Sequence, residues 1–442
     1  MALKSLNGVH IPHYKNTAGM PAVRMPAPAT VTIPLSMHIG RPAKCIVAVG
    51  DEVKLGQCIA EPGGFVSSPV FASVSGKVKK IEPMLQFMGA FCEAVVIESD
   101  GLMTPADVTP PEITDYDSFI KAVRDSGVVG LGGATFPTAV KLDVKDTSRI
   151  QEIIINGAEC EGFITSDHRT MLDRTDEVME GCKLLEKWLN VKKIVIAIED
   201  NKPDCIAKMK EAAAGDEFVE VRALPCLYPQ GGEKVLIYHV TGKIMPEGKL
   251  PIDVGSVVMN VTSVATLAHY CATGMPLVEK CITVDGSAIK EPKNVIAPIG
   301  TACNEVIEFA GGFKCEPKKM VLGGPMMGVA QYDLNAPVAK GTSAILCFNE
   351  KDARPRKTTA CIRCGKCVDN CPMRLMPAEM DRAYERRDAA ALKELKVGLC
   401  IECGCCAFNC PANRPLVQAH KLSKGLVREY DNKLKAQKEA GK

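Results

Sequence analysis

Eight of the 21 cysteines in this 442-residue chain fall into two runs of identical spacing. Cys361, Cys364, Cys367 and Cys371 read C-x2-C-x2-C-x3-C, followed by Pro372. Cys400, Cys403, Cys406 and Cys410 repeat the pattern about 39 residues later, followed by Pro411. Three thiolates on a tight loop can grip three corners of an iron–sulfide cube, but so short a loop cannot reach the fourth. In two-cluster ferredoxins the fourth cysteine of each run serves the other cluster. The spacing therefore predicts two [4Fe-4S] clusters with crossed ligation: Cys361, Cys364 and Cys367 with Cys410, and Cys400, Cys403 and Cys406 with Cys371. The proline after each fourth cysteine turns the chain out of any helix. Zinc would want two pairs separated by a longer gap. Cys405 is read as a bystander. Helical spacing between the runs, from Ala378 to Lys396, suggests that helices join the two loops. Two clusters in one module imply a relay.

A second constellation lies upstream. Gly130-Leu131-Gly132-Gly133-Ala134-Thr135-Phe136-Pro137 is a Gly-rich loop that lets backbone approach a phosphate or a flat ring closely, with a following helix start to favour an anion. It lacks the full G-x-G-x-x-G spacing. Lys141 follows and could pair with a phosphate. Asn156-Gly157-Ala158-Glu159-Cys160-Glu161 comes directly after an apolar β-type run, where polar groups suit a ligand site. Tyr228-Pro229-Gln230-Gly231-Gly232-Glu233 is another Gly pair opening a helix. What must position these groups is an alternation of short β-branched runs (Ile153–Ile155, Ile194–Ile198) with amphipathic stretches (Asp176–Leu189, Lys202–Ala213). That alternation predicts a parallel sheet with covering helices, and such sheets bind nucleotides at the carboxyl ends of their strands.

Composition bounds the rest. Hydrophobic content of 46%, charged content of 24% and a formal net charge of +2 describe a globular chain. So small a net charge does not suggest nucleic acid as a partner, which would normally show as a basic face or stripe. At the usual 100–200 residues per domain, roughly three or four domains are expected. No apolar run approaches the ~20 residues of a membrane span, and the first seven residues lack a signal-type apolar region. Singly placed cysteines such as Cys182, Cys271 and Cys347 read as buried thiols of a reducing compartment. The seven histidines show no paired metal spacing.

The pattern G-x-G-G-A-x-F-P-T-x-x-K (Gly130 to Lys141), N-x-x-E-x-E (Asn156 to Glu161), Y-x-x-G-x-E (Tyr228 to Glu233) and Asn260-Val261 resembles the flavin- and NADH-binding subunit of respiratory complex I. The chain resembles more closely the RnfC family, the C subunits of Rnf ion-translocating complexes, which couple ferredoxin and NAD to ion movement. Gly8-Val9-His10-Ile11-Pro12, Ile33-Pro34-Leu35-Ser36-Met37-His38-Ile39-Gly40, Pro246-Glu247-Gly248-Lys249-Leu250-Pro251 and Gly323-Gly324-Pro325-Met326-Met327-Gly328 carry that likeness, with the twin cysteine runs. The resemblance implies noncovalent FMN near Gly132, Gly133, Lys141, Asn156 and Asn260, and NAD(H) near Glu159 and Glu233. The wider set of cofactor-binding candidates adds Gly130, Tyr228, Gly231 and Gly232. No side chain is given an acid or base role. Leu131, Ala158, Gly162 and Met259 depart from the complex I pattern.

The architecture expected is multidomain α/β. An extension (1–29) precedes a barrel-sandwich domain of the lipoyl type (30–105), whose tip from Pro62 to Ser68 carries no lysine to modify. A Rossmann-like FMN/NADH domain (113–262), a small β-grasp domain (263–350), a helical two-cluster ferredoxin-like domain (352–425) and a basic tail (426–442) follow. The function implied is that of a peripheral protein at the cytoplasmic face of a membrane. It would exchange hydride between NAD(H) and FMN and pass single electrons through the clusters. Its partners would be membrane subunits of the same complex and, through another subunit, ferredoxin, with no nucleic acid. Two rivals stand beside it: a soluble reductase of the corrinoid-reducing type, expected to lack the barrel-sandwich segment, and a relay or scaffold subunit with an empty flavin pocket.

Overall fold

A computed structural model describes residues 6–85, 89 and 91–440. The reading of residues 1–5 as free of a leader, and the last two residues of the basic tail, lie outside the described residues. The chain forms two compact units. One comprises His13–Leu224 and Leu250–Ala353; the other comprises the residues up to Pro12, Pro225–Lys249 and Arg354–Lys442.

In the larger unit, four parallel strands form one sheet in the order Val219–Leu224, Ile194–Glu199, Glu152–Gly157, Ser256–Asn260. Numbered along the chain, this is 3-2-1-4. The strand order therefore reverses between Glu152–Gly157 and Ser256–Asn260, the point at which such sheets open a ligand crevice. The middles of the central strands are apolar because both faces are covered: Ile153–Ile155 and Ile194–Ile198 are buried at every residue. Helices Thr175–Leu189 and Val261–Thr273 pack on the sheet through Val178, Cys182, Leu185, Val264 and Leu267. The boundary expected from sequence at residue 262 falls inside the helix Val261–Thr273. That helix's side chains join the core of the parallel sheet, not that of the β-grasp domain.

The barrel-sandwich segment holds two antiparallel sheets. Strands Thr30–Pro34, Phe91–Ser99, Gly76–Leu85 and Glu52–Val53 make one; Lys44–Cys45, Cys58–Glu61 and Val70–Phe71 make the other. Val31, Ile33, Ile59, Val78, Val95 and Ile97 fill the space between them. The tip from Pro62 to Ser68 is held down rather than presented. Ser67 Oγ donates to the Arg41 carbonyl at 2.9 Å, and a Cβ on Gly63 would lie 2.1 Å from the Pro42 carbonyl oxygen.

The β-grasp region adds Lys293–Pro298, Glu279–Asp285, Ala344–Phe348, Lys319–Leu322 and Val329–Gln331, with Val23–Arg24 from the extension at one edge and the helix Cys303–Phe309 alongside. A buried lysine staples these parts together. Lys340 Nζ donates to Ser68 Oγ, Pro69 O and Gly127 O at 3.1, 2.7 and 2.7 Å, one acceptor for each of its three N–H bonds. Those acceptors stand on the barrel-sandwich segment and at the entrance to the nucleotide domain.

In the smaller unit, helices Pro377–Glu385 and Ala389–Glu394 connect the cysteine runs, as their spacing suggests. A long helix, Leu416–Ala440, packs on them. Leu426 and Val427 from this helix join the small apolar cluster around Met380, Leu392 and Val397. The division expected at 425/426 thus falls inside one helix, and its first turns belong to the cluster module rather than to a separate tail.

Candidate functional site

The sheet order brings Asn156 and Asn260 to adjacent carboxyl ends, paired in register. Asn260 caps the helix Val261–Thr273, its Oδ1 accepting from Ser263 N at 3.2 Å. Its Nδ2 donates to Asp167 Oδ2 at 2.7 Å, and Asp167 Oδ1 accepts from Thr262 Oγ1 at 2.6 Å. The Gly-rich loop lies against this pair. A Cβ on Gly132 would sit 2.9 Å from Asn260 Nδ2, so the glycine is required by the asparagine beside it. Gly133 has φ +117, a conformation L residues rarely adopt, and nothing lies within 4 Å of where its Cβ would be. Backbone is therefore bared to open space at the crevice, as an approaching ring or phosphate requires.

The loop is closed by Gly130 N to Phe136 O at 2.9 Å and Thr135 N to Gly130 O at 3.0 Å. Leu131, whose type departs from the complex I pattern, is turned away from the crevice and buried with Val128 and Val129 in the barrel-sandwich core. Its N–H donates to Ser263 Oγ at 2.9 Å and its carbonyl accepts from the buried Lys280 at 3.0 Å. Lys141 Nζ donates to Val258 O at 2.8 Å on the neighbouring strand. The helix that follows the loop, Thr138–Leu142, has only five residues, so the expected dipole assistance is slight.

Glu159 does not offer its carboxylate to the crevice. Its Oε1 accepts from Asp167 N at 2.6 Å and its Oε2 from His168 N at 3.3 Å, satisfying the start of the helix Ser166–Asp173. Lys15 approaches Oε2 at 3.9 Å and donates to the carbonyls of Glu159, Glu161 and Ile164 at 2.8, 2.8 and 2.6 Å. Burial pushes the Glu159 carboxyl up to about 7, and Lys15 opposes that shift. Burial pulls Lys15 down in turn. Lys202, also buried, donates to Ala158 O at 2.6 Å. The loop after the first parallel strand is thus clamped by two lysines and a carboxylate, and Glu159 acts as a positioning residue. Glu159→Ala should leave the buried Lys15 charge without its carboxylate and two N–H groups without their acceptor, and destabilise the larger unit by about 3–5 kcal/mol, the usual cost of breaking a buried pair. Thermal melting with and without NADH checks this: an unchanged melting temperature with a raised KM for NADH would instead make Glu159 a direct nucleotide contact.

Tyr228, Gly231, Gly232 and Glu233 lie in the smaller unit, with the cysteine runs. Tyr228 pairs with Val9 (N to O, 2.9 and 3.0 Å) and its hydroxyl donates to Cys403 O at 2.7 Å. Gly232 approaches Ile401, and Glu233 begins the helix Glu233–Thr241. Gln230 is buried, with its Oε1 2.7 Å from His239 Nδ1. The Gly8-Val9 and Tyr228 motifs, far apart in sequence, therefore form one brace on the second cysteine loop.

The cysteines line two cavities. Cys361, Cys364, Cys367 and Cys410 face one, together with Arg382 and Arg414; Cys371, Cys400, Cys403 and Cys406 face the other, with His420 and Pro377. Each cavity takes three sulfurs from one run and one from the other. In the second, Leu375 N points at Cys371 Sγ and Glu402 N at Cys400 Sγ, both at 3.4 Å, and His420 Nδ1 lies 3.7 Å from Cys400 Sγ. Burial pushes the Cys371, Cys400 and Cys406 thiols up. Four soft donors in so enclosed a space would be held as thiolates by the positive charge of a metal centre, and the N–H groups aimed at sulfur suit an anionic one. The donor set fits an iron–sulfide cube.

Comparison with known proteins accords with this geometry. Residues 123–269 match the Nuo51 FMN-binding domain, 3–102 the RnfC barrel sandwich hybrid domain, 281–330 the SLBB domain and 355–411 the 4Fe-4S dicluster domain. The chain is 45% identical to the C subunit of the Na(+)-translocating ferredoxin:NAD(+) oxidoreductase complex of Acetobacterium woodii over 384 residues, 86% of this chain and 87% of that one. The chain belongs to the RnfC family. The C subunit of the proton-translocating ferredoxin:NAD(+) oxidoreductase complex of Clostridium ljungdahlii is 44% identical over 85% of this chain and 83% of its own. The C subunit of the Rhodobacter capsulatus ion-translocating oxidoreductase complex is 37% identical over 96% and 83%. Among solved structures, an NAD+-reducing [NiFe]-hydrogenase shares the fold at TM-score 0.50 and 17% identity; the match covers 69% of this chain and 63% of that one. As a member of the RnfC family, the chain is part of an oxidoreductase complex, with an FMN-binding domain and a dicluster [4Fe-4S] domain, and its barrel-sandwich domain is the one expected. Among the described residues no helix is long and apolar enough to cross a membrane.

Lys15, Asp167, Lys202, Ser263 and Lys280 escape a reading of the sequence. Each acts through a partner distant along the chain or outside any motif (Lys15 on a loop some 144 residues away), and no local pattern marks it.

Proposed function

We propose that this chain is the nucleotide-end subunit of a ferredoxin:NAD oxidoreductase complex. It sits on the cytoplasmic side of membrane subunits that exchange electrons with it and carry the ion path. NAD(H) is its soluble substrate, and ferredoxin reaches it through another subunit. The observation that carries this reading is the juxtaposition of Asn156, Asn260 and the bared Gly132-Gly133 backbone at the point where the strand order reverses. Bound FMN would accept hydride from the nicotinamide, and the two clusters would carry single electrons onward.

The chain's own residues bind and orient. Gly132 and Gly133 leave room for a flat group, and Asn260 and Lys141 hold the loop and the strand ends around it. Lys15, Glu159 and Lys202 keep the adjoining loop rigid. Cys361, Cys364, Cys367 and Cys410 would ligate one cluster, and Cys371, Cys400, Cys403 and Cys406 the other. The brace of Tyr228 on Cys403 keeps the second cysteine loop in register with the Gly231-Gly232 turn. The Acetobacterium and Clostridium relatives are named for different ions, Na+ and protons, so the ion is a property of the partners that carry the path.

Titrating the anaerobic protein with NADH tests the reading. The flavin absorbance should bleach, with up to two equivalents of nicotinamide consumed per flavin, one for the flavin and one shared by the two one-electron clusters. A preparation with both clusters, no flavin and no optical response to NADH would favour a scaffold subunit with an empty pocket.

A further inference from the structure

The two cysteine cavities differ in their access to solvent. Around the first, Cys361 and Cys364 are exposed and Cys367 and Cys410 are half-buried; around the second, Cys371, Cys403 and Cys406 are buried and Cys400 is half-buried. The Tyr228 turn and the helix Leu416–Ala440 cover the second: Tyr228 bonds to Cys403, and Lys424 donates to the Cys400 carbonyl at 2.7 Å. The segment leading into the first is bare. Arg354, Arg356, Lys357, Arg363 and Lys366 are all exposed, and the only acid between residues 354 and 369 is Asp369.

None of these five cations takes part in an ion pair among the described residues. Apart from Asp369, the acids near the cavity are already engaged: Asp381 and Glu385 by Arg414, and Glu379 by Arg382. Ile362, 66% exposed, stands among the cations. Like charges left unpaired at one edge repel one another and weaken the fold, but they steer an oppositely charged partner. A small exposed apolar group ringed by charge has the anatomy of a transient interface.

Resting on the function proposed above, we infer that this basic rim is the electron port of the cluster module, where the carboxylate-rich face of a one-electron carrier protein docks over the outer cysteines. The exchange moves one electron between the carrier and the outer site; no bond forms or breaks, and no proton need follow. An anionic lipid surface would meet the same charges, but it cannot take the electron that exposed thiolate ligands are placed to deliver.

The test uses the full chain with both clusters loaded, mixed in stopped flow with a pre-reduced, acidic [2Fe-2S] ferredoxin as probe. Two triple variants are compared, Arg354→Glu/Arg356→Glu/Lys357→Glu and the same positions changed to Gln, with each rate normalised to measured iron and sulfide. The expected result is a low-salt bimolecular rate roughly tenfold or more slower in the Glu variant, with its salt dependence gone, and an intermediate Gln variant. The cluster potentials should be unchanged. The port would be overturned by unchanged rates, or by rates that follow a shifted outer-cluster potential, since the cations would then only balance cluster charge. It would also be overturned if the variants lost binding to anionic vesicles while keeping the rate. A chain that takes electrons from the ferredoxin normally yet ignores NADH would count against the proposed function and leave the port standing.

Discussion

Cys371→Ser should remove half of the iron and acid-labile sulfide, and the half it removes belongs to the second run. The cavities pair Cys371 with Cys400, Cys403 and Cys406, and Cys410 with Cys361, Cys364 and Cys367. Double variants turn that crossing into a bulk measurement. Cys371→Ser with Cys400→Ser strikes one cavity twice, so half of the iron should remain. Cys371→Ser with Cys361→Ser strikes both, and little should remain. Uncrossed ligation predicts the reverse outcome for the two pairs, so iron and sulfide analysis of anaerobic preparations decides between them.

Gly133→Leu should abolish flavin retention while leaving both clusters in place. At φ +117 a side chain is strained by about 1–3 kcal/mol. The larger effect is that its atoms would fill the open space at the crevice. Gly132→Ala should act differently, by pushing the Asn260 amide 2.9 Å from the new Cβ and so loosening the cap of the helix Val261–Thr273. Flavin content per protein, read from visible absorbance after gel filtration, should fall at least tenfold for Gly133→Leu and less for Gly132→Ala. Full retention in Gly133→Leu would show that the loop does not hold the flavin.

Local periodicity and spacing made much of this legible. The β-branched runs at Ile153 and Ile194 carry a two-sided burial pattern that only a covered parallel sheet satisfies, and both became its central strands. The cysteine spacing alone suggested the crossed sets that the cavities bring together. Long-range contacts set the limits. Nothing near Tyr228 signals that its turn leaves the parallel sheet to brace Cys403, because that partner lies 175 residues on. Glu159 reads as a ligand from its place after a strand, yet the nearby N–H groups of Asp167 and His168 compete for it, and Lys15 from the opposite end of the unit buries it. Leu131 looks like a damaged motif position until the barrel-sandwich core beneath it is seen. Limits drawn at 262 and 425 each fall inside a helix whose apolar face continues into the preceding core.

The most direct test is electron paramagnetic resonance of the oxygen-free protein before and after NADH. The account predicts that the untreated sample contains iron and sulfide for two clusters and is silent, and that NADH alone brings up reduced-cluster signals, which Gly133→Leu suppresses. Zinc in place of iron, or clusters that dithionite reduces but NADH never does in a flavin-replete sample, would contradict it.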